Sequence, residues 1–170
     1  MSVNMDVHNL LKGMQLFSGF DDAEIKAFIR DATFRSEPTG YCYLSMGAAN
    51  SSVFIVCKGR VEIKRISTAD DIPIATLGVA ETFGEMSFMD DSRATASVVG
   101  AEATEVLELS RETVDGLIDV NAIVALKFWR NLALVLKQRL AKTNEVIDQY
   151  VDINQVLLQQ ESFRDYYDRL

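Results

Sequence analysis

Histidine is almost missing from this chain: His8 is the only one in 170 residues. Cysteine is scarce too, with Cys42 and Cys57 alone. A Ser/His/Asp relay, a Cys/His pair or a metal cluster has too few members to form, so neither an enzyme nor a metal cofactor is expected. The two cysteines have no metal spacing. Both fall in apolar, strand-like stretches, and two buried free thiols are the expectation. Positive charge is also short, with 17 Lys and Arg against 25 Asp and Glu and a net charge of -8. An acidic chain repels nucleic acid and anionic lipid, so neither is an expected partner. No apolar run approaches the ~20 residues that a membrane-spanning helix requires. The N-terminus lacks a basic head and a long apolar run, so no signal peptide is visible and a cytoplasmic location is expected.

What is present suits a packed domain with an extension. Apolar residues make up 48% of the chain and charged residues 25%. No repeat, low-complexity tract or interdomain linker stands out. Leu10 to Phe17 reads as a short amphipathic helix or turn, and His8 falls in a terminal helix. Asp21 and Glu24 form a capping-box pattern, followed by Ile25, Phe28 and Ile29 at helical spacing. From Thr33 to about Ala101 the pattern changes to short β-rich runs: Tyr41–Met46, Val53–Cys57, Arg60–Ile66, Pro73–Leu77, Ala96–Val99 and Glu105–Leu109. Gly40, Gly47, Gly59 and Gly78 mark the corners. Val61, Ile63 and Ile66 partly alternate with charged neighbours, which suits a strand with one wet face. Seven or eight such strands imply an antiparallel barrel or jelly roll. Ser110 then caps a helix through Val114, Leu117 and Ile118, and Asn121 caps a longer one without Gly or Pro to about Tyr150. The fold class is therefore α+β: an antiparallel β-roll flanked by N-terminal helices and a long C-terminal helix. The expected division is residues 1–145 as the domain and 146–170 as a helical extension.

The most specific stretch is Phe83-Gly84-Glu85-Met86-Ser87-Phe88-Met89-Asp90-Asp91-Ser92-Arg93-Ala94-Thr95-Ala96-Ser97-Val98. It resembles the phosphate-binding cassette of the cyclic nucleotide-binding domain, the β-roll of catabolite activator proteins and of protein kinase A regulatory subunits. The resemblance extends to Val53–Glu62, similar to the family's strand–Gly–strand hairpin, to Leu16–Phe20 and to Val106–Arg111. It covers roughly residues 10 to 145. It implies a ligand, cAMP or cGMP, that presents one anionic phosphodiester, a ribose 2′-hydroxyl and a flat base. Gly84 would let backbone approach that ligand, and free amides at the helix start would favour its anion. By resemblance, Glu85 accepts a hydrogen bond from the 2′-hydroxyl. Phe83, Met86 and Ser87 complete the cassette's first half, with Phe83, Met86 and Phe88 read as core. Thr95, Ala96 and Ser97 match a Thr-Ala-Ser pattern that contacts phosphate and sometimes a guanine edge. One departure stands out. The family places its phosphate-binding Arg nine residues after the Glu, and here that residue is Ala94. Arg93 precedes it by one. Arg93 either reaches the phosphate or pairs with Asp90 or Asp91, and Glu85 is either a nucleotide ligand or a structural carboxylate.

In the long helix, Ala133, Leu136, Leu140, Thr143, Ile147, Tyr150, Asn154 and Leu157 repeat at 3–4 spacing. That is a heptad seam, and a homodimer through Leu136, Leu140, Ile147 and Tyr150 would explain it. Packing on the chain's own β-roll is the other explanation. Ile123, Val124, Leu126, Phe128 and Trp129 are expected to dock the helix on the domain. By resemblance, Arg139 or Leu140 lids the base. Ending at Leu170, the sequence is too short for a winged helix-turn-helix after the roll. The expected output is a protein partner, a change of self-association, or structure alone. The functional expectation is a regulatory domain binding a cyclic mononucleotide; the alternative is a degenerate, ligand-independent interaction module.

Overall fold

The computed structural model describes residues 3–65, 72–119 and 121–159. The chain begins with α1 (Val3–Gly13), a single 3-10 turn (Gln15–Phe17) and α2 (Asp22–Asp31). Asp21 starts α2 as its sequence predicts. Its carboxylate accepts from the amides of Ala23 and Glu24 at 2.9 and 2.8 Å, and Glu24 returns the bond to the Asp21 amide at 2.8 Å.

Among the described residues eight strands follow: β1 (Thr33–Glu37), β2 (Cys42–Leu44), β3 (Ser52–Lys58), β4 (Val61–Arg65), β5 (Ile72–Leu77), β6 (Thr82–Phe83), β7 (Ser97–Gly100) and β8 (Thr104–Ser110). They form two antiparallel sheets, ordered β1-β8-β3-β6 and β2-β7-β4-β5. A six-residue helix, α3 (Glu85–Asp90), interrupts the strands between β6 and β7. The chain closes with α4 (Arg111–Ile118) and α5 (Ala122–Gln159). Ser110 caps α4 by accepting from the Thr113 amide at 3.1 Å, and the Asn121 side chain accepts from the Ile123 amide at 2.9 Å.

Two apolar clusters hold the first part together. Inside the roll lie Leu44, Phe54, Val56, Val61, Leu77, Phe83, Val98 and Val106, with Tyr43 and Ile63 against them. Beside it, Phe17, Phe20, Phe28, Phe128, Phe88 and Trp129 form an aromatic chain with ring centroids 5.4 to 6.2 Å apart. Each such side chain contributes about 1.5–3 kcal/mol on burial. The start of α5 is also tied by polar bonds. Lys127 pairs with Glu24 at 2.6 Å, and the buried Asn131 amide donates to the carbonyls of Leu16 and Ser18 at 3.0 and 2.8 Å. By contacts the chain separates into two compact units, Met1–Leu132 and Ala133–Leu170, with α5 contributing to both.

The fold class is the expected one, and several details differ. The first helix begins at Val3 and ends at Gly13, with the turn to Phe17 separate. Thr33–Glu37 and Thr82–Phe83 are strands that lack a long apolar signal of their own. Cys42 is exposed, and Cys57 is only half-buried. A register irregularity between Cys42 and Leu44 breaks the alternation, so Leu44 is buried and Cys42 is not. Ile123 and Leu126 are exposed as well, at 63% and 69%. The buried face of α5 runs through Val124, Phe128, Asn131 and Leu132, and at 3.6 residues per turn Ile123 and Leu126 lie off it. Ile66 and the tail from 160 to 170 lie outside the described residues, as do the side chains of Asn154 and Leu157. No helix among the described residues is long and apolar enough to cross a membrane.

Candidate functional site

The corner between β6 and α3 is built around Gly84. Its φ of +84° is a left-handed conformation. A Cβ there would lie 2.7 Å from the Ser52 carbonyl oxygen and 3.2 Å from the Phe54 ring. Only glycine meets both conditions. Asn50 fixes this corner from the loop before β3. Its side-chain amide donates to the carbonyls of Ser52 and Gly84 and to the Ser87 hydroxyl, at 2.8, 3.0 and 3.0 Å. Its oxygen accepts from the Ser52 amide at 3.2 Å.

Glu85 is the first residue of α3 and is 3% exposed. Ser87 and Phe88 are buried with it, whereas Met86 and Met89 face solvent at 57% and 43%. Placing Met86 in the core was therefore wrong. On so short a helix, residues 85 and 88 share the inward side and 86 and 89 the outward one. Helix α3 is closed by Asp91, the residue after its last, left-handed at φ +54°, a conformation that Asp tolerates.

The second half of the cassette lies along the loop after β2. The Gly47 amide donates to Ala94 at 2.7 Å, the Ala94 amide donates to Ala48 at 2.9 Å, and Ala49 bridges Arg93. This pairing sets which side chains turn in. Ala94 is buried at 6%, and Ser97 at 4% with its hydroxyl accepting from the Met46 amide at 3.0 Å. Arg93 and Thr95 are exposed, and Ala96 is half-buried.

Arg93 pairs with neither nearby carboxylate. Its guanidinium donates to the Gly47 carbonyl at 2.7 Å. Asp90 instead accepts from the Ser92 amide at 3.0 Å, and hydrogen bonds from the Ser92 hydroxyl and amide hold its carboxyl below the usual range. Asp91 lies 3.2 Å from the Arg111 guanidinium.

The two halves of the cassette both lie along the loop after β2: Gly84 and Ser87 bond Asn50, and Arg93, Ala94 and Ser97 bond residues 46–48, while Phe83 and Glu85 are buried and Met86 and Thr95 are exposed. Arg139 belongs to the second unit, where its carbonyl accepts from the Thr143 hydroxyl at 2.9 Å. Sequence reasoning passed over Asn50 and Arg111. Asn50 opens the polar run Asn-Ser-Ser between two apolar stretches, which was the available signal. No group of three or more His, Cys, Asp or Glu able to hold a metal occurs among the described residues.

The family model described as Cyclic nucleotide-binding domain matches residues 35–121, just over half of the chain. The chain belongs to the cyclic nucleotide-binding domain family. Among its relatives is a Cyclic AMP receptor protein from Thermus thermophilus, 32% identical over 139 residues, which are 81% of this chain and 62% of that protein. The crystal structure of a Thermus thermophilus Catabolite Activator Protein superposes with a TM-score of 0.68 at 31% identity, over 81% of this chain and 63% of that one. A cyclic nucleotide-binding domain from Methylobacillus flagellatus gives a TM-score of 0.78 at 21% identity, over 87% and 84% of the two chains. That last likeness bears on fold alone. The chain spans just under two thirds of the length of both Thermus proteins.

Proposed function

We propose that this chain is a non-enzymatic regulatory domain that binds a cyclic mononucleotide, cAMP or cGMP, at the Gly84–Glu85 corner. Glu85 takes the ribose 2′-hydroxyl. The phosphate meets the amides of the cassette and the hydroxyls of Thr95 and Ser97, with Arg93 reaching in from the rim. The carrying observation is the corner itself: a left-handed glycine that admits no side chain, followed at once by a carboxylate residue only 3% exposed. Arg93 is the cassette's own cation, and its exposed guanidinium, with five donors, commits one bond to Gly47. The signal leaves through α5, where Leu140, Ile147 and Tyr150 are 63%, 52% and 65% exposed along the 3–4 seam. A second copy covering that seam makes the output a dimer.

The test is calorimetry on the full chain with cAMP and cGMP, separately. Binding of either supports the reading, and an absence of heat at millimolar nucleotide refutes it. Arg93→Ala weakens binding if the rim guanidinium holds the phosphate. Loss of a buried Arg–phosphate partner costs about 2–5 kcal/mol, or roughly 30- to several thousand-fold in affinity, and the exposed rim position of Arg93 puts the expected loss below that range.

A second reading has one specific observation in its favour. Ala94, at the family's Arg position, is buried. Under that reading the domain is a ligand-independent assembly module. It prevails if the wild type binds neither nucleotide while Ala94→Arg creates binding.

A further inference from the structure

Helix α3 is too short to hold its own conformation. Isolated helices below ~12 residues are marginal in water, so its six residues are placed by what grips them. Asn50 grips the start, at Gly84 and Ser87. At the other end stands Arg111, the first residue of α4. Its guanidinium carbon lies 4.4 Å from the centroid of the Phe88 ring. One of its terminal nitrogens lies 3.2 Å from the Asp91 carboxylate, an ion pair without hydrogen-bond alignment. Its backbone amide donates to Ser51 at 2.7 Å, which ties it to the loop that carries Asn50. The side chain is only 25% exposed, and two of its nitrogens are buried.

We propose that Arg111 is the positioning residue of the cassette: it sets where Glu85 sits by clamping Phe88 and Asp91, and touches no ligand itself. Phe88 is fully buried and stacks on Trp129 of α5 with ring centroids 5.9 Å apart. A displacement of α3 therefore reaches the indole, and Trp129 is the chain's only tryptophan. The planar guanidinium is required because a flat ring face is its target; an ammonium retains the charge opposite Asp91 but not the stacking.

The test compares Arg111→Gln, Arg111→Lys and Phe88→Leu in the full chain. Hydrogen exchange without nucleotide is the first arm. Loss of a cation–π contact speeds exchange of the amides of 86–92 by roughly 2- to 30-fold, with β3 and β8 unchanged. Lys restores part of the protection. In the Phe88→Leu background the Arg111→Gln effect shrinks, because the two residues act through one contact. Trp129 emission shifts in Arg111→Gln. Uniform speeding of all elements, or cassette exchange within twofold of wild type, overturns the proposal.

The second arm rests on the nucleotide reading given above and measures cAMP and cGMP affinity. Weakening in Arg111→Gln, with partial recovery in Arg111→Lys, supports the proposal, and unchanged affinity overturns it. If the wild type binds neither nucleotide yet its cassette alone is loosened by Arg111→Gln, positioning stands and the nucleotide reading falls.

Discussion

Replacing Gly84 by alanine separates two costs that usually come together. The first is conformational: at φ +84° a Cβ residue sits in the left-handed region, at about 1–2 kcal/mol. The second is steric. The new Cβ would stand 2.7 Å from the Ser52 carbonyl oxygen, 3.1 Å from the Asn50 side-chain nitrogen and 3.2 Å from the Phe54 ring. The first of these is backbone within a paired strand, so the crowding is relieved only by moving β3 or α3, at about 1–3 kcal/mol. The sum is about 2–5 kcal/mol, a large share of the ~5–15 kcal/mol that holds a domain folded. Gly47 supplies the control. Its φ is +81°, but a Cβ there meets nothing within 4 Å, so Gly47→Ala carries the conformational cost alone. Urea unfolding followed by far-UV circular dichroism measures both. Gly84→Ala is expected to lie at least ~1 kcal/mol below Gly47→Ala. Equal losses would refute the close approach of backbone at this corner.

Asn50→Ala removes three donated bonds and one accepted bond from the same corner. A loss of ~1–3 kcal/mol is expected, read as a melting temperature lower by roughly 2–12 °C. Burial pushes the Cys57 thiol up to about 11 and the Tyr43 hydroxyl up to about 12. Both groups bind protons more tightly folded than unfolded, so stability is full below pH 9 and falls between about pH 9 and 12; Cys57→Ser with Tyr43→Phe flattens that decline in thermal melts. A thiol reagent at pH 8 labels exposed Cys42 quickly and Cys57 slowly, and Cys42→Ser removes the fast phase. Leu140→Asp with Ile147→Asp shifts the sedimentation coefficient toward a monomer if the seam joins two copies, and leaves it unchanged otherwise.

Much of this architecture is legible without coordinates, because the signals are local. Asp21 and Glu24 announce the start of α2 three residues apart, and Ser110 does the same for α4. The alternating Val61 and Ile63 mark a strand, with Val61 in the core and Ile63 packed against it, although Glu62 and Lys64 on the other side are half-buried as well. What stays hidden depends on pairing across the chain. Cys42 looks like a core residue until the irregularity between β2 and β7 rotates it outward. Ile123 and Leu126 read as docking residues until the inward face of α5 is located at Val124 and Phe128. Asn50 and Arg111 flank the cassette from 34 residues before Gly84 and 20 residues after Asp91, so no window of sequence contains the contacts they make.

The same dependence on pairing decides what Ala94 means. From Glu85 to Val98 the spacing fits the family register without a gap, yet the guanidinium sits one residue early. A slip of residues 93–97 against the loop at 46–49 would turn Arg93 inward. It would also break the Gly47–Ala94 and Ala94–Ala48 bonds and displace the Ser97 hydroxyl from Met46. At ~0.5–1.5 kcal/mol each, those three cost about 1.5–4.5 kcal/mol. An Arg–phosphate pair returns about 2–5 kcal/mol, a near balance. On the nucleotide reading proposed above, the slip is then not driven by ligand alone, and Arg93 would act from the rim. Moving the charge without moving the backbone tests this directly. The double variant Arg93→Ala, Ala94→Arg keeps the three bonds just named, gives up only the Arg93–Gly47 bond, and places the guanidinium on the inward side. Its nucleotide affinity by calorimetry is expected to exceed the wild type's by tenfold or more. An affinity equal to or below the wild type's would show that the rim position serves the phosphate as well as the inward one.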